Sequence, residues 1–136
     1  MAPGTRRILL LAALIVVYLA GFIPTWVKLR GQTAQREKAE HALSLTRIVK
    51  DLGSAAVDAR RAEYEAARLE ASAFFTAARF EIDAGDKSSL TRQQRDALAP
   101  LLVPRDELIT LLARSDPAAG DRLSTLYVAV RKIVGV

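Results

Sequence analysis

A run of 20 residues without a charged side chain, from Ile8 to Val27, constrains this chain more than any other feature. As an α-helix that rises about 1.5 Å per residue, the run is about 30 Å long, which matches the hydrocarbon core of a bilayer. Its leucine, isoleucine and valine residues each favour insertion by roughly a few tenths of a kcal/mol. The sequence therefore predicts a transmembrane helix over residues 8–27 that contacts the lipid bilayer.

Charged and aromatic residues mark both ends of this run. Arg6 and Arg7 precede it in a short basic tail of residues 1–7, and Lys28 and Arg30 follow it. Trp26 lies near its end, where aromatic residues concentrate at membrane–water interfaces. These five residues are the predicted membrane-interface residues.

A cleaved signal peptide is the alternative interpretation of the same run. The apolar stretch continues past the usual length of about 7–15 residues, and no good small-x-small cleavage site precedes Lys28. We therefore expect a retained signal anchor. No later segment is long and apolar enough to cross again, so the sequence predicts a single-pass protein.

The orientation is less strongly determined, because positive charges flank the run on both sides. A short tail followed by a long polar part favours a cytoplasmic N-terminus and an extracytoplasmic, periplasmic C-terminal part. The alanine- and arginine-rich composition favours a bacterial source.

The composition excludes several classes of site. The chain has no cysteine and one histidine, so one chain cannot form a disulfide, a thiolate metal site or a histidine-rich site. No phosphate-binding glycine loop or nucleophile–base pair is recognisable. Charges of both signs are mixed after Lys28, without the basic stripe of a nucleic-acid-binding protein. We expect no enzyme activity, cofactor, metal site or nucleic-acid partner.

Residues 28–83 predict one long helix with a polar stalk and a coiled-coil-like seam. They contain no proline and are rich in alanine, glutamate, arginine and leucine, which are good helix formers. Apolar residues recur at alternating spacings of three and four, as in a heptad repeat. The predicted helix-packing seam consists of Leu45, Ile48, Leu52, Ala55, Ala59, Ala62, Ala66, Leu69, Ala73, Thr76 and Phe80.

The middle of this seam, from Ala55 to Ala66, contains only small side chains. Small residues allow a partner helix to approach closely but bury little apolar surface. A homodimer held by this seam alone would therefore be weak. The pattern favours contact with a different protein, another subunit of a membrane complex, over self-association.

Residues 84–136 predict a turn followed by three short helices. Gly85 can close the preceding helix in the left-handed conformation, and Asp86, Ser88, Ser89 or Thr91 can cap the next one. The helices are expected at about 91–99, 104–114 and 117–133. Their apolar faces, packed back on residues 69–80 with Phe74, Phe75 and Phe80 in or beside the core, would form a small all-α bundle.

Two polar groups are candidate metal ligands. Glu81, Asp83 and Asp86 crowd the turn, but their spacing does not match a calcium-binding loop, so a solvated turn with capping acids is favoured. His41 lies four residues from Glu37, which favours an exposed pair on a helix surface.

Two functions fit this organisation. The first is a structural or accessory subunit of a larger membrane complex, which assembles or spaces its neighbours. The alternative is an extracytoplasmic helical sensor module that signals through a partner. That architecture is similar to the ligand-binding part of bacterial chemoreceptors and sensor kinases, although no sequence motif carries the similarity.

Overall fold

The chain forms an all-α structure. In the computed structural model the backbone is described from Pro3 to Val136, and the side chains are described for residues 8, 10–18, 31 and 33–136. Over this backbone there is no strand, and the α-helices are α1 (Pro3–Arg60), α2 (Tyr64–Asp83), α3 (Arg92–Leu98), α4 (Arg105–Ala113) and α5 (Ala118–Val134). Short 3₁₀ turns span Gly85–Lys87 and Ala99–Leu102. One compact unit extends to Ala39, and a second, Glu40–Val136, is the helical bundle.

The predicted single helix over residues 28–83 is wrong, because the chain turns at residues 61–63. Ala62 has φ 62°, in the left-handed region. The Glu63 N–H donates to the Asp58 carbonyl at 2.9 Å, and the Ala62 N–H donates to the Ala59 carbonyl at 3.2 Å. These two bonds form a Schellman motif, which normally has glycine at the position of Ala62.

Replacement of Ala62 by glycine is expected to stabilise the bundle. An alanine in the left-handed conformation costs about 1–2 kcal/mol, and the greater freedom of glycine in the unfolded chain offsets part of the relief. We expect a net gain of about 0.5–1 kcal/mol in the free energy of unfolding. Urea unfolding of the full chain in mild detergent measures it.

Ala73→Gly is the matched control, since Ala73 is an exposed alanine inside α2. There glycine is expected to cost about 0.8–1 kcal/mol. Equal losses from both substitutions would contradict the strain assigned to Ala62.

The turn folds α2 back along the second part of α1. The Ser44 hydroxyl on α1 donates to the Glu81 carboxylate on α2 at 2.9 Å, across 37 residues of sequence. This antiparallel pairing lets α2 bury Phe74 and Phe75, whose rings meet edge to face with centroids 5.0 Å apart. Leu52 on α1, Leu98 in α3 and Leu112 in α4 are buried in the same apolar core.

The three short C-terminal helices differ from the predicted bounds by one residue at each end. Thr91 caps α3, with reciprocal side-chain bonds to Gln94 that form a capping box. Gly85 has φ +57°, as predicted for the residue that closes α2. The Asp116 carboxylate accepts a bond from the Ala118 N–H at 2.9 Å at the start of α5.

Helix α5 packs antiparallel to α1 through two glycines. A Cβ atom built on Gly53 of α1 would lie 3.1 Å from Cε2 of Tyr127. A Cβ on Gly120 of α5 would lie 3.2 Å from Cγ of Arg60 and 3.7 Å from the Ala59 carbonyl carbon. The distances of 3.1 and 3.2 Å are tighter than ordinary van der Waals contact, so the absence of side chains at Gly53 and Gly120 lets these helices approach closely.

Candidate interaction surfaces

The first surface is the apolar part of α1 near its start. The described large side chains there are 58–72% exposed: Ile8, Leu10, Leu11, Leu14, Ile15, Val16, Val17 and Tyr18. Residues 14–18 follow one another without interruption, and successive residues of an α-helix point about 100° apart. The helix is therefore apolar around its whole circumference over this stretch.

Much of the predicted membrane segment lies outside the described side chains. This holds for residues 19–27 and for all five interface residues, Arg6, Arg7, Trp26, Lys28 and Arg30. Within the described residues, no helix combines the length and the apolarity that a membrane crossing requires.

The first half of the predicted seam lies inside the bundle. Ile48, Leu52, Ala55 and Ala59 are at most 3% exposed, and Leu45 is half-buried. Helix α5 of the same chain approaches α1 closely at Ala59, where Gly120 lies. Ala55 and Ala59 are not available to a different subunit.

The second half of the seam does not face the core. Because the chain restarts at Tyr64 in a new direction, the heptad phase of α1 is not carried into α2. Leu69 and Phe80 are 67% and 71% exposed. Ala62 and Ala73 are exposed as well, and Ala66 is half-buried. Of the three phenylalanines expected in or beside the core, Phe74 and Phe75 are buried, whereas Phe80 is not in the core.

The outward residues of α2 form a continuous surface. Leu69, Ala73, Thr76 and Phe80 are spaced four, three and four residues apart, so they share one face of the helix. We call this surface the α2 outer stripe. It is the second apolar surface among the described residues.

Glu81 is the one charged side chain that is buried in the described part of the chain, with 5% exposure. Its carboxylate accepts hydrogen bonds from the Ser44 hydroxyl at 2.9 Å and the Ser88 hydroxyl at 2.7 Å. It also accepts from the Ser89 N–H at 2.7 Å and the Ser89 hydroxyl at 3.1 Å. The sequence-based view of Glu81 as a solvated acid is wrong, because the carboxylate joins α1, α2 and the following turn.

The Glu81 carboxylate is expected to make the stability of the bundle sensitive to acid. Burial by itself raises the pKa of Glu81, but the bonds from Ser88, Ser89 and Ser44 outweigh it and leave the pKa below its ordinary value of 4.5. The folded state therefore binds fewer protons than the unfolded state, so this stabilisation is complete above about pH 4.5 and is lost as the pH falls through the folded-state pKa.

Glu81→Gln tests this expectation. At neutral pH the variant should lose about 1–3 kcal/mol of unfolding free energy, because charge-assisted bonds are weakened and the partly buried serine groups lose an acceptor. Below pH 4.5 its unfolding free energy should also fall less steeply than that of the wild type. Unfolding at a series of pH values measures both effects.

Asp86→Asn, at an exposed acid in the same turn, is the control and should retain the wild-type acid response. A Glu81→Gln variant with unchanged stability and unchanged pH dependence would show that the four bonds contribute nothing.

The other polar candidates lie on the surface. His41 and Asp86 are exposed, and Asp83 accepts a bond from Arg79 at 3.0 Å in a pair on α2. Within the described side chains, no group of three histidines, aspartates or glutamates is placed to hold a metal ion. Sequence inspection missed the cluster around Glu81 because Ser44 lies 37 residues away.

Grooves open on the surface of the bundle along α5. An apolar groove of about 400 Å³ lies between α4 and α5 and is lined by Leu101, Pro104, Leu108, Asp121, Arg122, Thr125, Leu126 and Ala129. On the other side of α5, Tyr127 separates adjoining cavities of about 420 and 470 Å³ along α1. We call this second feature the Tyr127 groove; the sequence pattern gave no signal for either.

Comparison of the chain with protein-family models, with curated proteins and with solved structures finds no match.

Proposed function

We propose that this protein is a non-enzymatic, single-pass membrane protein that acts as an accessory or assembly subunit of a larger membrane complex. The observation that carries the proposal is the exposed apolar surface around residues 10–18 of α1. A helix that is apolar on all sides is typical of a buried or membrane-spanning position.

The uncharged run of residues 8–27 provides the length for such an anchor. Twenty helical residues cover about 30 Å, and an arginine at the centre of such a helix would cost about 2.5–3.5 kcal/mol. In this proposal the basic tail of residues 1–7 stays in the cytoplasm. The bundle of residues 40–136 lies on the extracytoplasmic side.

The α2 outer stripe supports contact with another subunit. Leu69 and Phe80 place two large apolar side chains on a helix whose opposite face already fills the core. One helical stripe is much smaller than a stable interface of about 1,200–2,000 Å². A contact through it would therefore depend on the membrane anchor to hold the partners together, which raises their effective concentration.

The groove between α4 and α5 favours the alternative function, a helical sensor module. Its volume of about 400 Å³ falls within the range of about 300–1,000 Å³ that is common for small-ligand sites. The rim carries an ion pair between Arg122 and Glu107, which could orient a polar ligand. A sensor of this kind would need a partner for output.

The test is gentle detergent extraction from native membranes with a tag at Val136, followed by sizing and mass spectrometry. We expect co-purification at fixed stoichiometry with a larger membrane assembly. The double variant Leu69→Ser/Phe80→Ser should lose the partner while remaining folded and membrane-bound.

Leu43→Ser is the matched control, because Leu43 is 70% exposed but lies outside the α2 outer stripe. It should retain the partner. A wild-type protein that is extracted only as a monomer or homodimer would overturn the accessory-subunit function and favour the sensor module.

A further inference from the structure

The Tyr127 groove follows the line where α5 packs on α1. The tyrosine ring lies against Gly53, and cavities of about 420 and 470 Å³ open on its two sides. A third cavity of about 390 Å³ adjoins them near Val136. From Thr46 to Arg60 the lined part of α1 is about 21 Å long at about 1.5 Å per residue.

The charged residues that line these cavities are all basic. Lys50 and Arg60 come from α1, and Arg131 and Lys132 come from α5. Arg60 has one acid at the limit of ion-pair distance, Asp121 at 4.0 Å, and both side chains are largely exposed. Arg131 donates through Nε to the Val136 carbonyl at 2.9 Å. The described lining residues of the groove include no acidic side chain to balance these charges.

The same groove exposes apolar side chains between the basic ones. Val128 is 65% exposed, Val57 is 48% exposed and Val136 is 53% exposed. Together with the ring of Tyr127, they form an apolar strip with cations along its length. This pattern is complementary to an amphipathic segment that carries apolar residues on one face and acids beside them.

We propose that the Tyr127 groove binds an acidic amphipathic helix of a neighbouring protein. This inference rests on the proposed function, since it defines the chemistry of the partner of an accessory subunit. The α1 residues that line the groove lie between Thr46 and Arg60, a span of about four helical turns. A helix is favoured over a lipid surface because the apolar groups line a concave groove between two helices, whereas interfacial segments insert a projecting apolar face.

The experiment measures fluorescence polarisation of a labelled peptide with the full chain in nanodiscs of neutral lipid. The probe is a 14-residue amphipathic helix with leucines on one face and glutamates on its flanks. We expect saturable binding at about 50 mM salt that weakens at least tenfold at about 300 mM, because salt screens exposed charges. The same peptide with glutamine in place of glutamate should bind at least tenfold more weakly.

Substitutions in the protein test the position of the site. Val128→Glu introduces an acid into the groove and should weaken peptide binding at least tenfold. Val103→Glu is the matched control, because Val103 is 81% exposed and does not line the Tyr127 groove. It should leave the affinity unchanged.

Three results would overturn the inference. The first is equal affinity for the glutamate and glutamine peptides, and the second is an unchanged affinity in Val128→Glu. The third is displacement of the labelled peptide by anionic lipid vesicles but not by excess unlabelled peptide. The proposed function fails on a different result, namely recovery of the wild-type chain in the soluble fraction of cells. Failure of the inference and failure of the proposed function are therefore distinguishable.

Discussion

The double variant Leu14→Arg/Val17→Arg is expected to leave the membrane fraction. Val17 lies at the centre of the uncharged run of residues 8–27, where each arginine costs about 2.5–3.5 kcal/mol. Two of them amount to about 5–7 kcal/mol, which exceeds what the apolar residues lost at these positions contributed. Carbonate washing of membranes followed by flotation should show the wild-type chain in the membrane layer and the variant below it.

Val103→Arg is the control for this prediction, because Val103 is the most exposed of the large apolar residues described, at 81%. It adds one arginine to the bundle, outside the run of residues 8–27, and should remain in the membrane layer. If the double variant floats with the membranes as the wild type does, residues 8–27 are not the anchor. The proposed function would then lose its main support.

The second large effect is expected from Phe74→Ala. Phe74 is fully buried, and its ring meets Phe75 edge to face at 5.0 Å. Removal of a buried phenylalanine ring typically costs about 3–5 kcal/mol, the sum of lost apolar burial and of the cavity left behind. Because small domains have about 5–15 kcal/mol of stability, this is a large fraction of the total. Denaturant unfolding of the full chain, followed by circular dichroism, measures the loss.

Phe80→Ala provides the comparison within the same helix. Phe80 is 71% exposed, so its removal should change the unfolding free energy by no more than about 0.5 kcal/mol. The two variants therefore distinguish a phenylalanine that stabilises the fold from one that lies on the surface. Similar losses at both positions would mean that the assigned register of α2 is wrong.

Local signals in the sequence predicted the C-terminal helices well. Thr91 and Gln94 are three residues apart, the spacing of a capping box. Gly85 and Asp116 likewise act within one turn of their own position. Such interactions depend on neighbours in the chain, so residue types alone were sufficient to place these helix ends.

The turn at Ala62 could not be predicted in the same way. Alanine is the best helix former and carries no turn signal, yet it has φ 62° here. The free energy that offsets the strain at Ala62 comes from the tertiary structure, because folding back at this point buries Phe74 and Phe75. The seam through Leu69 and Phe80 was consequently placed on the wrong side of α2.

The environment of Glu81 also depended on the fold. Its serine partner Ser44 is brought near only after the chain has reversed direction at Ala62. A cluster of acids beside a glycine turn has the same sequence appearance whether it is solvated or buried. The buried position became apparent only from the hydrogen bonds that surround the carboxylate.

The close packing of Gly120 on Ala59 has a consequence for how the protein is made. A ribosome that adds about 5–20 residues per second completes Gly120 about 3–12 s after Ala59. During this interval the α1 face that α5 covers has no partner within the chain. A product that stops before Gly120 would keep that face open permanently, and cellular proteases would act on it. We therefore expect chains that stop before α5 to be degraded faster than full-length chains.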